Sequence, residues 1–322
     1  KEWIWQQYDH TVMGDTIQKP GGDSGVVRVH GSNKAVAASV DSSAVYCWAH
    51  PLTGGKQVVA ESWRNLISVG ATPIAITNCL NFGSPENEDN MGEFVECVQG
   101  IGEASKYLNF PVVSGNVSFY NQTKEVGIKP TPSIGGIGLI KDYKKMITMD
   151  FKEIDNLVLI IGKTEGHIDQ SLFARTILDE KNGPPPEVNL FNEKNNGESL
   201  LGLIEKDYIK SAHDVSLGGI LTALSKMSIK GNKGIKLEKR KKLINRDLIQ
   251  SAHDVSVGAI ITAVSKMCIK GNKGINLKKP KYLINEIEYF FAEDQGRYII
   301  EISKKDLEKV TDILNKNAVH FD

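Results

Sequence analysis

The chain has 322 residues, of which 40% are apolar and 24% charged, with 39 basic residues against 39 acidic ones. The length exceeds an ordinary single core, so two domains are expected. A formal charge of zero gives no electrostatic reason to expect nucleic acid or an anionic membrane as a partner, no apolar run is long enough to cross a bilayer, and no signal peptide opens the sequence. A cytoplasmic protein is therefore expected. Cys47, Cys79, Cys97 and Cys268 show neither CxxC nor zinc-type spacing and are expected as reduced thiols. The sequence starts at Lys1 and stops in NKNAVHFD without an evident terminator, which suggests a piece of a longer polypeptide.

In chain order, KAVAASVD (34–41) alternates small and β-branched residues and predicts a strand ending at Asp41. After HPLTGG, read as a connection, KQVVAESWRNLISVG carries Val58, Val59, Trp63, Leu66 and Ile67 at helical spacing, with Gly70 as its stop. TPIAITNCL predicts a second strand, FVECVQGIGEASKYL a longer helix, FPVV a short strand running into an SGNVS turn, and TPSIGGIGLI another strand. The pattern restarts at NLVLIIG (156–162), so a domain boundary is expected near 145–152, dividing the chain into 1–148 and 149–322. The second part holds a Pro/Gly/Asn-rich loop (NGPPPEVNLFNEKNNG) and a strand pair in YFFAEDQGRYIIEI. Both parts mix α and β elements, and the class read from pattern is α+β or α/β.

SAHDVSLGGILTALSKMSIKGNKGI, beginning at Ser211, recurs 40 residues later (251 minus 211) as SAHDVSVGAIITAVSKMCIKGNKGI. Two copies are too few for a solenoid, so a tandem duplication inside one domain is expected, at 208–247 and 248–287.

Three groups of residues carry potential chemistry. Glu61 and Asn65 are four apart and share a helix face opposite the apolar stripe. With Asp41 they offer three oxygen ligands for Mg²⁺, or they form a solvated helix face. In VVSGNVSFY, Gly115 permits close approach of a phosphate, Asn116 offers a metal ligand and Ser118 a donor, though an ordinary turn uses the same residue types. In SAHDVSLGG, Asp214, the cap-type Ser216 and two glycines precede a helix with apolar residues at 217, 220, 221, 224 and 227. Such a helix start binds anions through free N–H groups, with Asp214 placed to hold the accompanying metal. Capping alone would explain the same residues.

GGKQVVAESWRNLISVGATPIAITNCLNFGSPEN, PVVSGNVSFYN, TPSIGGIGLI, KSAHDVSLGG and FFAEDQGRY, in that order, resemble the second half of phosphoribosylformylglycinamidine synthase, the synthetase of formylglycinamide ribonucleotide amidotransferase. That enzyme belongs to the aminoimidazole ribonucleotide synthetase superfamily. The LNFG and SGNVSFYN motifs set the chain apart from thiamine-phosphate and selenide kinases of the same superfamily. The fold implied is α+β: an N-terminal α/β domain that forms a barrel with a pseudo-symmetric mate, followed by an α+β C-terminal domain.

The activity implied is the ATP-dependent conversion of formylglycinamide ribonucleotide to the amidine in purine biosynthesis. The implied partners are the missing N-terminal half, a glutaminase supplying ammonia and, in multi-subunit types, a small bridging subunit. The family's catalytic histidine and phosphate-binding lysine lie in that first half. By motif match, Asn78 and Gly115 would contact ATP, Asn116 would bind Mg²⁺ and Ser118 would touch substrate. Asn78 replaces the family's aspartate, keeping its size and losing its charge. The resemblance also implies an auxiliary nucleotide, ATP or ADP, whose Mg²⁺ ions are held by Asp41, Glu61, Asn65 and Asp214. A non-catalytic nucleotide-binding scaffold is the competing expectation.

Overall fold

The computed structural model describes residues 3, 6–7, 12–234, 236–237, 276–277 and 286–322. The SAHDVS loop and helix of the second copy lie outside the described residues. The first part contains β1 (Thr16–Gln18), β2 (Gly25–Arg28), β3 (Ala35–Ser42), α1 (Ala44–Ala49), α2 (Pro51–Ile67), β4 (Thr72–Asn81), α3 (Glu88–Tyr107), β5 (Val112–Ser118), the short pair β6 (Gln122–Thr123) and β7 (Val126–Gly127), and β8 (Thr131–Ile140). The second contains β9 (Leu157–Ile161), α4 (Leu190–Glu205), β10 (Ile209–Asp214), α5 (Gly219–Gly231), β11 (Lys236–Leu237), β12 (Asn276–Leu277), α6 (Glu286–Phe291), β13 (Tyr298–Ile302) and α7 (Leu307–Lys316).

The first part forms a six-stranded sheet in the order β1-β2-β3-β8-β4-β5. Its pairs are antiparallel except for β4 and β5. α2 covers one face, and α3 packs on α2. Val58, Trp63, Leu66 and Ile67 of α2 are buried with Ile76, Leu80, Ile134 and Phe110, as their spacing predicted. Among the described residues the other face is open: Val40 is 79% exposed and Ile137 42%. The second part is built on the antiparallel sheet β10-β13-β9, with α5 packed over it through Ile220, Leu224 and Met227.

Several elements depart from the sequence expectation. α2 begins at Pro51, because the His50 ring accepts the Thr53 N–H at 3.3 Å and proline suits a first helical position. Gly54 and Gly55, read as connection residues, lie inside that helix, where they let neighbouring main chain come close. β5 continues through SGNVS, so this segment is an edge strand whose backbone pairs with β4 on one side, not a turn. α4 starts at Leu190 inside the supposed loop, capped by the Asn189 side chain, which accepts the Asn192 N–H. YFFAEDQGRYIIEI supplies the end of α6 and the single strand β13. Ser216 is not the N-cap of α5: Gly218 is, and Leu217 stands 50% exposed ahead of the helix.

Candidate functional site

α2 carries its polar residues to the junction of the two parts. Arg64 reaches α4, β10 and the 293–295 loop, Glu61 lies in the field of Asp214 and Glu293, and Asn65 turns to Asp41 of β3, so much of what looked like a solvated face is covered by the second domain. Asn65 Nδ2 donates to Asp41 Oδ1 at 2.8 Å, and Gln57 holds Glu61. Arg64 is fully buried and donates to Glu193 Oε1 at 2.5 Å and to Gln295 Oε1 at 2.9 Å, with its Nε 3.9 Å from Asp214 Oδ2. On the far side of Asp214, His213 Nδ1 lies 2.6 Å from Asp23 Oδ1 and 3.5 Å from Asp214 Oδ1. The four residues assigned to the auxiliary site thus converge from β3, α2 and β10.

The electrostatics of this junction are unbalanced. Asp41, Glu61, Asp214 and Glu193 gather around the Arg64 guanidinium, and Asp23 lies beside His213 and in the field of Lys226. Burial first, then the Glu61 and Asp214 carboxylates, pushes Asp41 up to about 8. Burial raises Glu61 against the pull of Arg64, raises Glu193 to about 7, and raises Asp23 against His213. Burial alone would weaken the charge on Arg64, but Glu193, Asp214 and Glu61 hold its pKa above the usual range. Among the described residues, buried Asp41 Oδ2, Asp214 Oδ2 and Glu193 Oε2 find no hydrogen-bond partner. Crowded carboxylates that burial and mutual repulsion drive toward their protonated forms, with lone pairs free, fit a divalent cation, which would take the place of the protons. Among the described residues Asp23, His213 and Asp214 also stand within metal-ligating reach of one another.

The second set of expected residues divides between the two faces of the sheet. Asp41 pairs with Ile134, Ile134 with Asn78 and Asn78 with Gly115, placing these residues in one row across β3, β8, β4 and β5. Ile134 of that row is wholly buried, so the row faces the helices. A Cβ on Gly115 would stand 2.0 Å from Asn78 Oδ1, so the glycine makes room for Asn78. Asn116 and Ser118 lie on the open face with Thr77, whose hydroxyl meets Ser114 at 2.9 Å. The Ser118 hydroxyl is held by Asn121. A cavity of about 740 Å³ near Gln295 and Asn196 is lined by none of the residues expected from sequence.

Sequence reasoning missed Arg64, Glu193, Asp23 and Glu293. Arg64 and Glu193 are 129 positions apart, and no periodicity links them. The signal was present only for Arg64, a charged residue beside the apolar positions Trp63 and Leu66.

Fold and junction together define a two-domain α+β protein with a buried acidic cluster where the domains meet. The model for AIR synthase related protein, N-terminal domain, matches residues 21–140, and that for the C-terminal domain matches 153–242 and again 236–321. The chain belongs to the AIR synthase related family. It is 72% identical over all 322 residues to phosphoribosylformylglycinamidine synthase subunit PurL of Pelagibacter ubique (strain HTCC1062), and spans 39% of that relative. The corresponding subunit of Azorhizobium caulinodans is 51% identical over 74% of the chain, which covers 32% of that relative. Among solved structures, Thermotoga maritima PurL complexed with FGAR superposes with a TM-score of 0.68 at 18% identity, over 98% of this chain and 45% of that one. T. maritima PurL complexed with ADP gives 0.64, also at 18% identity, over 98% of this chain and 43% of that one. At that identity the likeness is one of fold.

Proposed function

We propose that this chain is the second synthetase half of a phosphoribosylformylglycinamidine synthase, acting in ATP-dependent amidine formation on formylglycinamide ribonucleotide, and that its own junction site holds a magnesium nucleotide. The observation that carries the site assignment is the convergence of Asp41, Glu61, Asn65 and Asp214 around unpartnered carboxylate oxygens. Mg²⁺ bound there would neutralise those carboxylates and the phosphates of ATP or ADP.

The residues of this chain divide the work. Asp41, Glu61 and Asp214 supply charge, and Asn65 holds Asp41 by its amide. Arg64 ties α2 to Glu193 and so keeps the two domains in register. Asn116 and Ser118, on the open face, would serve a reaction site completed by the first half, for Mg²⁺ and substrate respectively. Asn78 and Gly115, proposed for ATP, lie on the opposite, helix-side face, in the row that runs to Asp41.

A structural role accompanies the catalytic one, because the proposed nucleotide site draws on both domains and its occupant would bind them together. Calorimetry with Mg·ADP tests the site: binding to the intact chain, lost in Glu61→Gln, is expected, and no heat at millimolar nucleotide overturns the assignment. Ammonia-dependent ADP release tests the division of labour. The chain alone is expected to stay at background, since general acid–base help and phosphate clamping each contribute about 10²–10⁴-fold and the groups that provide them in the resembling family belong to the first half. Turnover by the pure chain would refute that division.

A further inference from the structure

The loop that delivers Asp214 is held by residues from the far end of the chain. Gly218 and Gly219 both adopt positive φ, +84° and +68°, a conformation that side chains with a Cβ resist. A Cβ on Gly219 would stand 2.6 Å from Ala292 O, 2.7 Å from Phe290 O and 2.8 Å from Phe291 C. These are main-chain atoms and cannot rotate away as a side chain could.

The Gly218 N–H donates to Glu293 Oε1 at 2.7 Å, and that oxygen also accepts the Leu172 N–H at 2.7 Å. The other Glu293 oxygen takes the Tyr46 hydroxyl from α1, and Val215 N–H donates to Arg297 O at 2.9 Å. The 290–297 segment therefore reads the turn twice: its carbonyls exclude a methyl group, and its carboxylate anchors the main chain.

The repeated sequence meets this requirement only once. At the equivalent positions 40 residues on (251 minus 211), the second copy has Gly258 followed by Ala259. It also replaces Leu224, which is 1% exposed, by the smaller Val264. β11 and β12 pair as parallel strands with Lys236 opposite Asn276 and Leu237 opposite Leu277, each exactly one repeat apart by number (276 minus 236). The end of the first copy thus lies beside the corresponding residues of the second.

We propose that the cradle made by the main chain of Phe290–Ala292 and the carboxylate of Glu293 accepts a Gly-Gly turn alone, so that the first copy supplies Asp214 to the junction site and Asp254 of the second copy takes no part in it. Glu293 is then a positioning residue: it fixes the turn, and through the turn the end of β10 that carries Asp214. Its Tyr46 contact links that position to the first domain.

The nucleotide part of this assignment rests on the proposed function, whereas the cradle rests on packing, and two readouts separate them. In the intact chain, Asp214→Asn is expected to weaken Mg·ADP binding by about tenfold or more, a loss at least as large as that from outer-sphere changes at metal sites. Asp254→Asn should stay within about twofold, as expected for an uncoupled position. Removing residues 238–277, one repeat that leaves α6 intact, should preserve cooperative unfolding and the affinity. A loss in Asp254→Asn equal to that in Asp214→Asn, or a folded deletion variant that no longer binds, would overturn the proposal. If the parent chain binds no Mg·ADP, the nucleotide reading fails and the cradle is judged by urea unfolding. Gly219→Ala should then lower the midpoint or abolish folding, and an unchanged midpoint would show that the first copy is not in the cradle.

Discussion

At the scale of single residues, the junction site combines features that sequence displays with others that it hides. Glu61 and Asn65 were legible because helical spacing alone puts them on one face; that this face is buried was not, because the covering residues Glu193 and Asp214 come from a different domain. Asp41 gives the sharpest test. Its folded pKa, about 8, lies above the ordinary value of 3.8, so the folded state binds the extra proton between those limits. The stability that this proton contributes is complete below pH 3.8 and is lost as pH rises through about 8. Glu61 and Glu193 are shifted in the same direction and reinforce the slope. Without divalent cation, melting temperature should therefore fall from pH 5 to pH 8 in the wild type and fall less in Asp41→Asn, which cannot ionise. Mg²⁺ at the proposed site would compete with the proton for the same oxygens, so Mg·ADP affinity should rise over that interval. Identical pH profiles for the two proteins would show that Asp41 is not the titrating group.

At the scale of elements, the errors of sequence reading share a cause: glycines and polar residues whose local preference is overruled by packing. β3, β4 and β8 were legible from alternation and β-branched content. The start of α2 was not, since two successive glycines normally interrupt a helix. Here they serve close contact. A Cβ on Gly55 would stand 2.3 Å from Cys97 O, and one on Gly100 would stand 2.1 Å from Leu52 O, so α2 and α3 touch main chain to main chain. β5 was cut short for a related reason, because Ser-Gly-Asn reads as a turn until β4 is seen to pair with it residue by residue. Gly55→Ala would favour helix locally yet push α3 off α2. Overpacking of this kind costs about 1–3 kcal/mol, against a gain of about 1 kcal/mol from helix propensity. The net expectation is a lower urea midpoint with an unchanged m-value. A raised midpoint would mean that the two helices are less tightly apposed.

At the scale of the whole molecule, one face of the large sheet has no covering layer among the described residues. Pairing carries Ala38, Val40 and Ser42 of β3 into rows with Ile137, Gly135 and Ser133 of β8, continuing to Thr77 and Cys79 of β4 and to Ser114 and Asn116 of β5. A sheet buried on one face alone is common in antiparallel folds, but its free face is then polar. This one is mixed, with Val40 79% and Ile137 42% exposed. Asn116 and Ser118, proposed for Mg²⁺ and substrate, stand at its edge, where a second sheet laid against it would meet them. The chain spans 39% of its Pelagibacter relative, and under the proposed function the first half would occupy this face. Val40→Asp tests that arrangement without touching the helix-side core or the junction carboxylates. Burying a valine contributes about 1.5–3 kcal/mol, so its loss, even before the desolvation of the new charge, should weaken association with the first half by about 30-fold. Mg·ADP binding to this chain should remain unchanged. Sedimentation of the mixed halves reads the first quantity and calorimetry the second. Unaltered association of Val40→Asp would place the contact elsewhere, and a joint loss of both would point to damage within the chain itself.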